Sequence, residues 1–217
     1  MISLTRRNLG LASGMAAAVA LSAAALIAFS AEAAPSAEPG ALAPGFTATT
    51  TSGEAVSLSD FAGSTVILEW TNDGCPFVQK HYADPPKNMQ GLQARAGGDG
   101  VVWLQIISSA PGKQGHVTPE QAEEINAGRA ASPTHVILDP SGEIGRLYEA
   151  KTTPHMFVIR PDGEIAYAGA IDSIATANVA DIETAENYVS AALDALAAGD
   201  AVETPSSKPY GCSVKYG

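Results

Sequence analysis

The chain holds two cysteines, Cys75 and Cys212, and Cys75 stands where a thiol can be put to work. It lies within Glu69-Trp70-Thr71-Asn72-Asp73-Gly74-Cys75-Pro76-Phe77, directly after the β-branched, apolar run Thr65-Val66-Ile67-Leu68. A strand that ends in a short polar turn, with a cysteine at the start of the next helix, brings the thiol to unpaired backbone N–H groups and the positive end of a dipole. Both favour thiolate, the nucleophile towards disulfides and peroxides alike. Cys212 is far along the chain, so no C-x-x-C metal knuckle or dithiol motif is present. The two cysteines are therefore either a working pair or a structural staple. A bond closing so long a loop would stabilise the fold by about 5 kcal/mol on the chain-entropy estimate.

The elements that must position Cys75 follow from the pattern around it. Thr65–Trp70 is predicted as a buried central strand, since so short a continuous apolar run fits a strand covered on both faces. Pro76 suits the first turn of a helix, where its missing N–H is not needed; that helix is predicted over Pro76–Tyr82, broken by Asp84-Pro85-Pro86 and resumed over Asn88–Arg95. Val101–Ile107 is a second buried strand, and Thr118-Pro119-Glu120-Gln121 carries the marks of a helix start. Thr134–Leu138 gives a third strand, followed by a short helix over Ile144–Tyr148. Met156–Ile159 and Ile165–Ala168 form a hairpin across Arg160-Pro161-Asp162-Gly163. A helix over Ile182–Ala198 stops at Gly199. Strands alternating with helices and closed by a hairpin indicate an α/β sandwich with a mixed sheet.

At the N-terminus, Arg6-Arg7 precedes an uncharged run ending in Ala31-Glu32-Ala33-Ala34, which reads as a cleavable export signal over residues 1–33, twin-arginine-like in Thr5-Arg6-Arg7-Asn8-Leu9. The alternative is an uncleaved membrane anchor, because the run is long enough to span. Residues 34–43, rich in Ala, Pro, Ser and Glu, read as a flexible lead-in. A single domain over 44–199 follows, and then an irregular tail, 200–217, that carries Cys212 and is free to move. The net charge of −11 becomes one unit more negative without Arg6, Arg7 and Glu32. So acidic a surface argues against nucleic acid as a partner.

Pro44-Gly45-Phe46, Gly53, Leu58, Gly63, the strand into Cys75, and Thr153-Pro154 just ahead of the hairpin fall where thioredoxin-fold redoxins have them. From about Pro44 to Leu196 the chain resembles the peroxiredoxin-like branch (the alkyl hydroperoxide reductase and thiol-specific antioxidant type) and the membrane-tethered thioredoxin-like branch. The closing Pro209–Tyr216 segment is similar to the tail of an exported bacterial subgroup. The resemblance implies a thioredoxin-like α/β sandwich and a cis bond at Thr153–Pro154 beside Cys75, where the backbone of Thr153 aligns a substrate. It also implies that Glu69, in the place of a buried acid, relays protons. Pro76 and Phe77 would border a substrate groove.

Departures from both branches bear on function. Val78 stands where thioredoxins place their second cysteine. Leu68 and Asn72 stand where peroxiredoxins place proline and threonine; Thr71, one place off, is the nearest donor to a peroxide. Arg129 and Arg146 are the candidates for an activating arginine. His81 and His155 raise the question of a metal, but the two closely spaced cysteines of the copper chaperones that share this fold are missing, so no metal and no cofactor are expected. Lys80 is expected in solvent.

The resulting expectation is an exported, periplasmic thiol oxidoreductase. Cys75 is the nucleophile, Cys212 the resolving thiol, and an external thiol the reductant. Its substrate is a hydroperoxide or, alternatively, a protein disulfide. A redox-inert binding module with a structural disulfide is the non-enzymatic alternative.

Overall fold

The computed structural model describes residues 36–217. The export-signal reading over 1–33 lies outside the described residues. In chain order the elements are β1 (Thr47–Thr49), β2 (Ala55–Ser57), β3 (Val66–Trp70), α1 (Pro76–Tyr82), α2 (Asn88–Gly98), β4 (Val102–Ile107), α3 (Pro119–Gly128) and β5 (His135–Leu138). There follow α4 (Glu143–Leu147), β6 (Thr152–Thr153), β7 (His155–Ile159), β8 (Ile165–Gly169), α5 (Tyr188–Ala198) and β9 (Cys212–Ser213).

Five strands form the central sheet in the order β5-β4-β3-β7-β8. β3 pairs in parallel with β4 and antiparallel with β7, so it is central and every residue of it is buried. That explains its unbroken apolar character apart from Glu69. Period-two alternation sends Ile67 to a core shared with Val78 and Tyr82 of α1, Met89, Leu92 and Ala96 of α2, and Val189, Ala192 and Leu193 of α5. Val66, Leu68 and Trp70 enter a second core with Leu104, Ile106, Ile144, Tyr148 and Phe157. With helices on both faces of a mixed sheet, the chain has the thioredoxin-like α/β sandwich expected from its sequence.

Local signals were legible where the chain carries its own punctuation. Thr118 caps α3 by accepting from Gln121 N–H while Gln121 reaches back to Thr118 N–H. Gly199, at φ 77°, closes α5. The start of that helix differs from expectation. Residues 179–183 form a separate 3₁₀ turn, and the Asn187 side chain accepts from Ser190 N–H, so α5 begins at Tyr188 rather than Ile182.

Two segments expected to be loose are tied down. Residues 36–43 run beside the β7–β8 hairpin, where Gly40 N–H donates to Ile165 O at 2.9 Å, Ile165 N–H to Ala41 O at 2.9 Å, and Ala43 N–H to Gly163 O at 2.9 Å. They are bound by backbone pairing, which side-chain composition does not report. The C-terminal tail is likewise bound. Val214 is buried in the second core, its N–H donates to Lys151 O at 3.1 Å, and Ala110 N–H donates to Lys215 O at 2.9 Å. Tyr216 donates to Ala150 O at 2.8 Å and lies under the Arg146 guanidinium at 4.7 Å. The tail contains β9, which pairs antiparallel with β6 in the register Thr152↔Ser213 and Thr153↔Cys212.

Candidate active site

The turn that delivers Cys75 is built from its own polar residues. Asn72 Oδ1 accepts Gly74 N–H at 3.0 Å, and Asn72 O accepts Cys75 N–H at 3.0 Å, an Asx turn that swings the chain from β3 into α1. A neighbouring loop locks it: Asn72 Nδ2 donates to Gln114 O at 3.2 Å, and Gln114 Nε2 donates to Gly74 O at 2.8 Å. Gly115 is obligatory in that loop, because at φ 83° a Cβ would fall 2.4 Å from the Asn72 side chain. Cys75 is the N-cap of α1, Pro76 occupies the first turn, and Cys75 O accepts Gln79 N–H.

Thr153–Pro154 is a cis peptide bond, and its loop lies against Cys75, whose Sγ donates to Thr153 O at 3.1 Å. β9 lays Cys212 over the same place. Both cysteines are free thiols, Cys75 with no exposed surface and Cys212 partly exposed above it. The tertiary structure thus supplies in space the second thiol that the chain lacks three residues after the first.

The two thiols are electrostatically unequal. Burial alone would raise the pKa of Cys75. The nearby donor groups, the Cys212 thiol and backbone N–H, the Thr153 hydroxyl and Val78 N–H, favour the thiolate strongly enough to outweigh it and hold the pKa below the ordinary 9.0. Thr153 Oγ1 is buried without a hydrogen-bond partner. Cys212 is pushed up to about 11, by burial, by the hydrogen bond to Cys75 and by the charge that develops there, against a small opposing effect of Lys215. Of the two, Cys75 is the sulfur that ionises first. No arginine is among the groups that lower its pKa.

Glu69 is fully buried on the sheet face that α1 and α2 cover. Its carboxylate accepts from Tyr82 Oη at 2.8 and 2.9 Å and from Trp103 Nε1 at 2.9 Å, with Gln93 and Gln105 at longer range. These bonds tie β3 to α1, α2 and β4, and none of them reaches Cys75. Thr71 is also buried, and its hydroxyl has no hydrogen-bond partner. Pro76 is exposed, whereas Phe77 is half-buried with its ring edge-on to Tyr210 at 5.8 Å. Pro154 is buried.

Other expectations change. Lys80 is buried rather than in solvent, paired with buried Asp172 at 2.9 Å and donating to Ile174 O at 3.0 Å. His81 joins the same cluster: its Nε2 faces Tyr210 Oη at 3.2 Å and its Nδ1 faces Asn88 Nδ2 at 2.8 Å. Burial, reinforced by the Lys80 charge and only partly offset by Asp172, lowers its pKa to about 4. His155 lies on the other sheet face against Phe157, at 4.6 Å. Among the described residues no group of three or more His, Cys, Asp or Glu is placed to hold a metal ion. Arg129 stacks on the Tyr82 ring at 3.7 Å and lies 3.7 Å from Asp73 Oδ1, in the turn that leads to Cys75. The Lys80–Asp172–Tyr210 cluster escaped sequence reasoning because its members are far apart in the chain. One signal was available: Tyr210, Cys212, Val214 and Tyr216 recur with the period of a strand.

Comparison with known proteins agrees with this architecture. An uncharacterised conserved protein from Geobacillus kaustophilus superposes with a TM-score of 0.67 at 25% identity, over 82% of this chain and 92% of that one. A hypothetical protein from Sinorhizobium meliloti 1021 gives 0.66 at 22% identity, over 82% and 94%. The thioredoxin domain of a thiol-disulfide oxidoreductase from Bacteroides vulgatus gives 0.48 at 18% identity, over 67% and 96%. No curated protein matches the sequence. The family model described as AhpC/TSA matches residues 39–168, which spans β1 to β8 and includes Cys75, Thr153 and Pro154. The chain belongs to the AhpC/TSA family of thioredoxin-fold redoxins.

Proposed function

We propose that the protein is an exported thiol-dependent oxidoreductase that reduces hydroperoxides through Cys75, with Cys212 as the resolving thiol. The observation that carries the proposal is the placement of two free thiols about one backbone residue, Cys212 as the strand partner of Thr153 and Cys75 donating to the Thr153 carbonyl, in surroundings that favour ionisation of Cys75 over that of Cys212. The Cys75 thiolate attacks the terminal peroxide oxygen. The O–O bond breaks, the alkoxide leaves and takes a proton, and Cys75 becomes a sulfenic acid. Cys212 then attacks the Cys75 sulfur, its proton leaves with the hydroxyl as water, and the Cys75–Cys212 disulfide forms. An external dithiol of the periplasm returns the two electrons.

In this reading Thr153 and Pro154 form the wall beside the reacting sulfur, and the unpartnered Thr71 hydroxyl is the donor to the peroxide. Pro76 and Phe77 border the approach. Glu69 anchors α1, and any part it takes in proton transfer runs through Tyr82. Export rests on the Arg6-Arg7 segment.

Thiol–disulfide exchange is a second reading, favoured by the β6 edge, which is built to pair with an extended strand. Rapid mixing of reduced protein with hydrogen peroxide and with a small disulfide, using Cys75→Ser as control, separates the two. Peroxide reaction far faster than that of a free thiol, ending in Cys75–Cys212, supports the first reading; acceleration with the disulfide alone moves the assignment to the second. Failure in both leaves a stapled binding module.

A further inference from the structure

The residues on either side of Cys212 are held more firmly than a swinging resolving arm requires. Tyr210 Oη donates to Asp172 Oδ1 and lies 3.4 Å from Lys80 Nζ and 3.2 Å from His81 Nε2. Asp172 is fixed in turn by Lys80 at 2.9 Å and by Ile174 N–H at 3.1 Å. Hydrogen bonds to charged groups in such buried surroundings are the stronger kind. Gly211 passes so close to Thr153 O that a Cβ there would sit 2.1 Å from it, and its φ of 133° is one that other residues avoid. Downstream, Val214 N–H is bonded to Lys151 O at 3.1 Å and the Val214 side chain is in the core. Between these clamps, Cys212 and Ser213 occupy the hydrogen-bonding edge of Thr152–Thr153.

We propose that Gly211–Ser213 is a tethered strand latched by Tyr210 and Asp172, which closes the Thr153 edge to extended protein segments and so selects small oxidants over protein disulfides. The inference rests on the Cys75–Cys212 cycle and names the substrate class of that site. A strand attached to its own edge acts at an effective concentration of about millimolar or more. An incoming peptide at micromolar levels must displace it residue by residue. A hydroperoxide or low-molecular-weight disulfide forms no strand pairing, and needs only a brief opening above Cys75. The latch residues are positioning residues: they act through Cys212 and do not touch the reacting atoms.

The test uses reduced protein and three probes: hydrogen peroxide, a small mixed disulfide with an aromatic thiol leaving group, and an extended cysteine peptide carrying the same leaving group. Hydrogen exchange of the Val214 amide reads the tail independently of chemistry. For the unaltered protein we expect a peptide-to-small-disulfide rate ratio well below one and a protected Val214 amide. Tyr210→Phe removes one hydroxyl, and it should raise that ratio roughly tenfold and speed Val214 exchange. Gly211→Ala, which cannot keep the approach to Thr153 O, is the second variant and should do the same.

Reaction with peroxide accompanied by equal peptide and small-disulfide rates, unmoved by either variant, overturns the latch and leaves the peroxidase reading standing. No peroxide reaction, with a low peptide ratio that rises in Tyr210→Phe, overturns the peroxidase reading and supports the latch. An unprotected Val214 amide in the unaltered protein also overturns it.

Discussion

Cys212 is the strand partner of Thr153, and Thr153 O is the acceptor of the Cys75 thiol. One backbone residue therefore sets the position of both sulfurs. This explains how two cysteines remote in sequence form a pair without a C-x-x-C motif.

Cys212→Ala should raise the pKa of Cys75, because it removes the hydrogen bond from the Cys212 thiol that helps hold the Cys75 pKa down. The backbone N–H of residue 212 remains, so the shift should be partial. The rate of Cys75 alkylation against pH reads it directly. The same variant should accumulate a trappable sulfenic acid on Cys75 after peroxide treatment, detectable by mass spectrometry.

Acid should destabilise the fold above the carboxylate range. His81 and His155 are each lowered to about 4, chiefly by burial, against an unfolded value of about 6.5. Between those values the unfolded state binds more protons, so stability is full above about pH 6.5 and falls as pH drops towards 4. Each histidine should contribute on the order of 2–3 kcal/mol to that loss. Chemical denaturation at pH 7.5 and pH 4.5 measures it, and replacing either histidine by Gln should flatten the dependence.

Glu69→Gln replaces an acceptor-only group that takes hydrogen bonds from Tyr82 and Trp103. We expect a loss of roughly 1–3 kcal/mol in denaturant titration, since one buried donor is left facing another. If Glu69 also moves protons through Tyr82, the pH–rate profile of peroxide reduction will change shape. A purely anchoring carboxylate will lower stability and leave the profile in place.

Lys80→Met leaves Asp172 buried without its cation. Removing one partner of a buried pair costs about 3–5 kcal/mol. We expect a lower melting temperature together with faster alkylation of Cys75, because Asp172 also holds Tyr210. Lys80→Met combined with Asp172→Leu should recover much of the stability while Cys75 stays reactive.

The elements around the site were readable because each carries a local cause. α1 runs over Pro76–Tyr82 as expected, with proline in the first turn and the Asp84-Pro85-Pro86 break beyond. β3 was legible from its uninterrupted apolar run, and the β7–β8 hairpin from the Pro161-Asp162-Gly163 turn. The start of α5 was not legible from apolar spacing, which continues back through Ala185 and Ile182, because a single side chain, Asn187, decides where the helix begins. Lys80 is buried against expectation for a related reason. A lysine is assigned to solvent by default, and Asp172 and the Ile174 carbonyl, brought in from beyond β8, make its burial tolerable.

The sequence by itself determined the fold class and the strand, turn and helix that set Cys75 at a helix start, since these depend on neighbours along the chain, while the Thr153-Pro154 loop opposite it was legible through the resemblance to thioredoxin-fold redoxins. The tertiary structure alone decided that Cys212 lies over Cys75, that the tail is paired rather than loose, and that Tyr210, Asp172 and Lys80 hold it there. Backbone pairing between β6 and β9 and a buried ion pair between α1 and the chain after β8 depend on distance in space, and residue spacing along the chain carries no record of that.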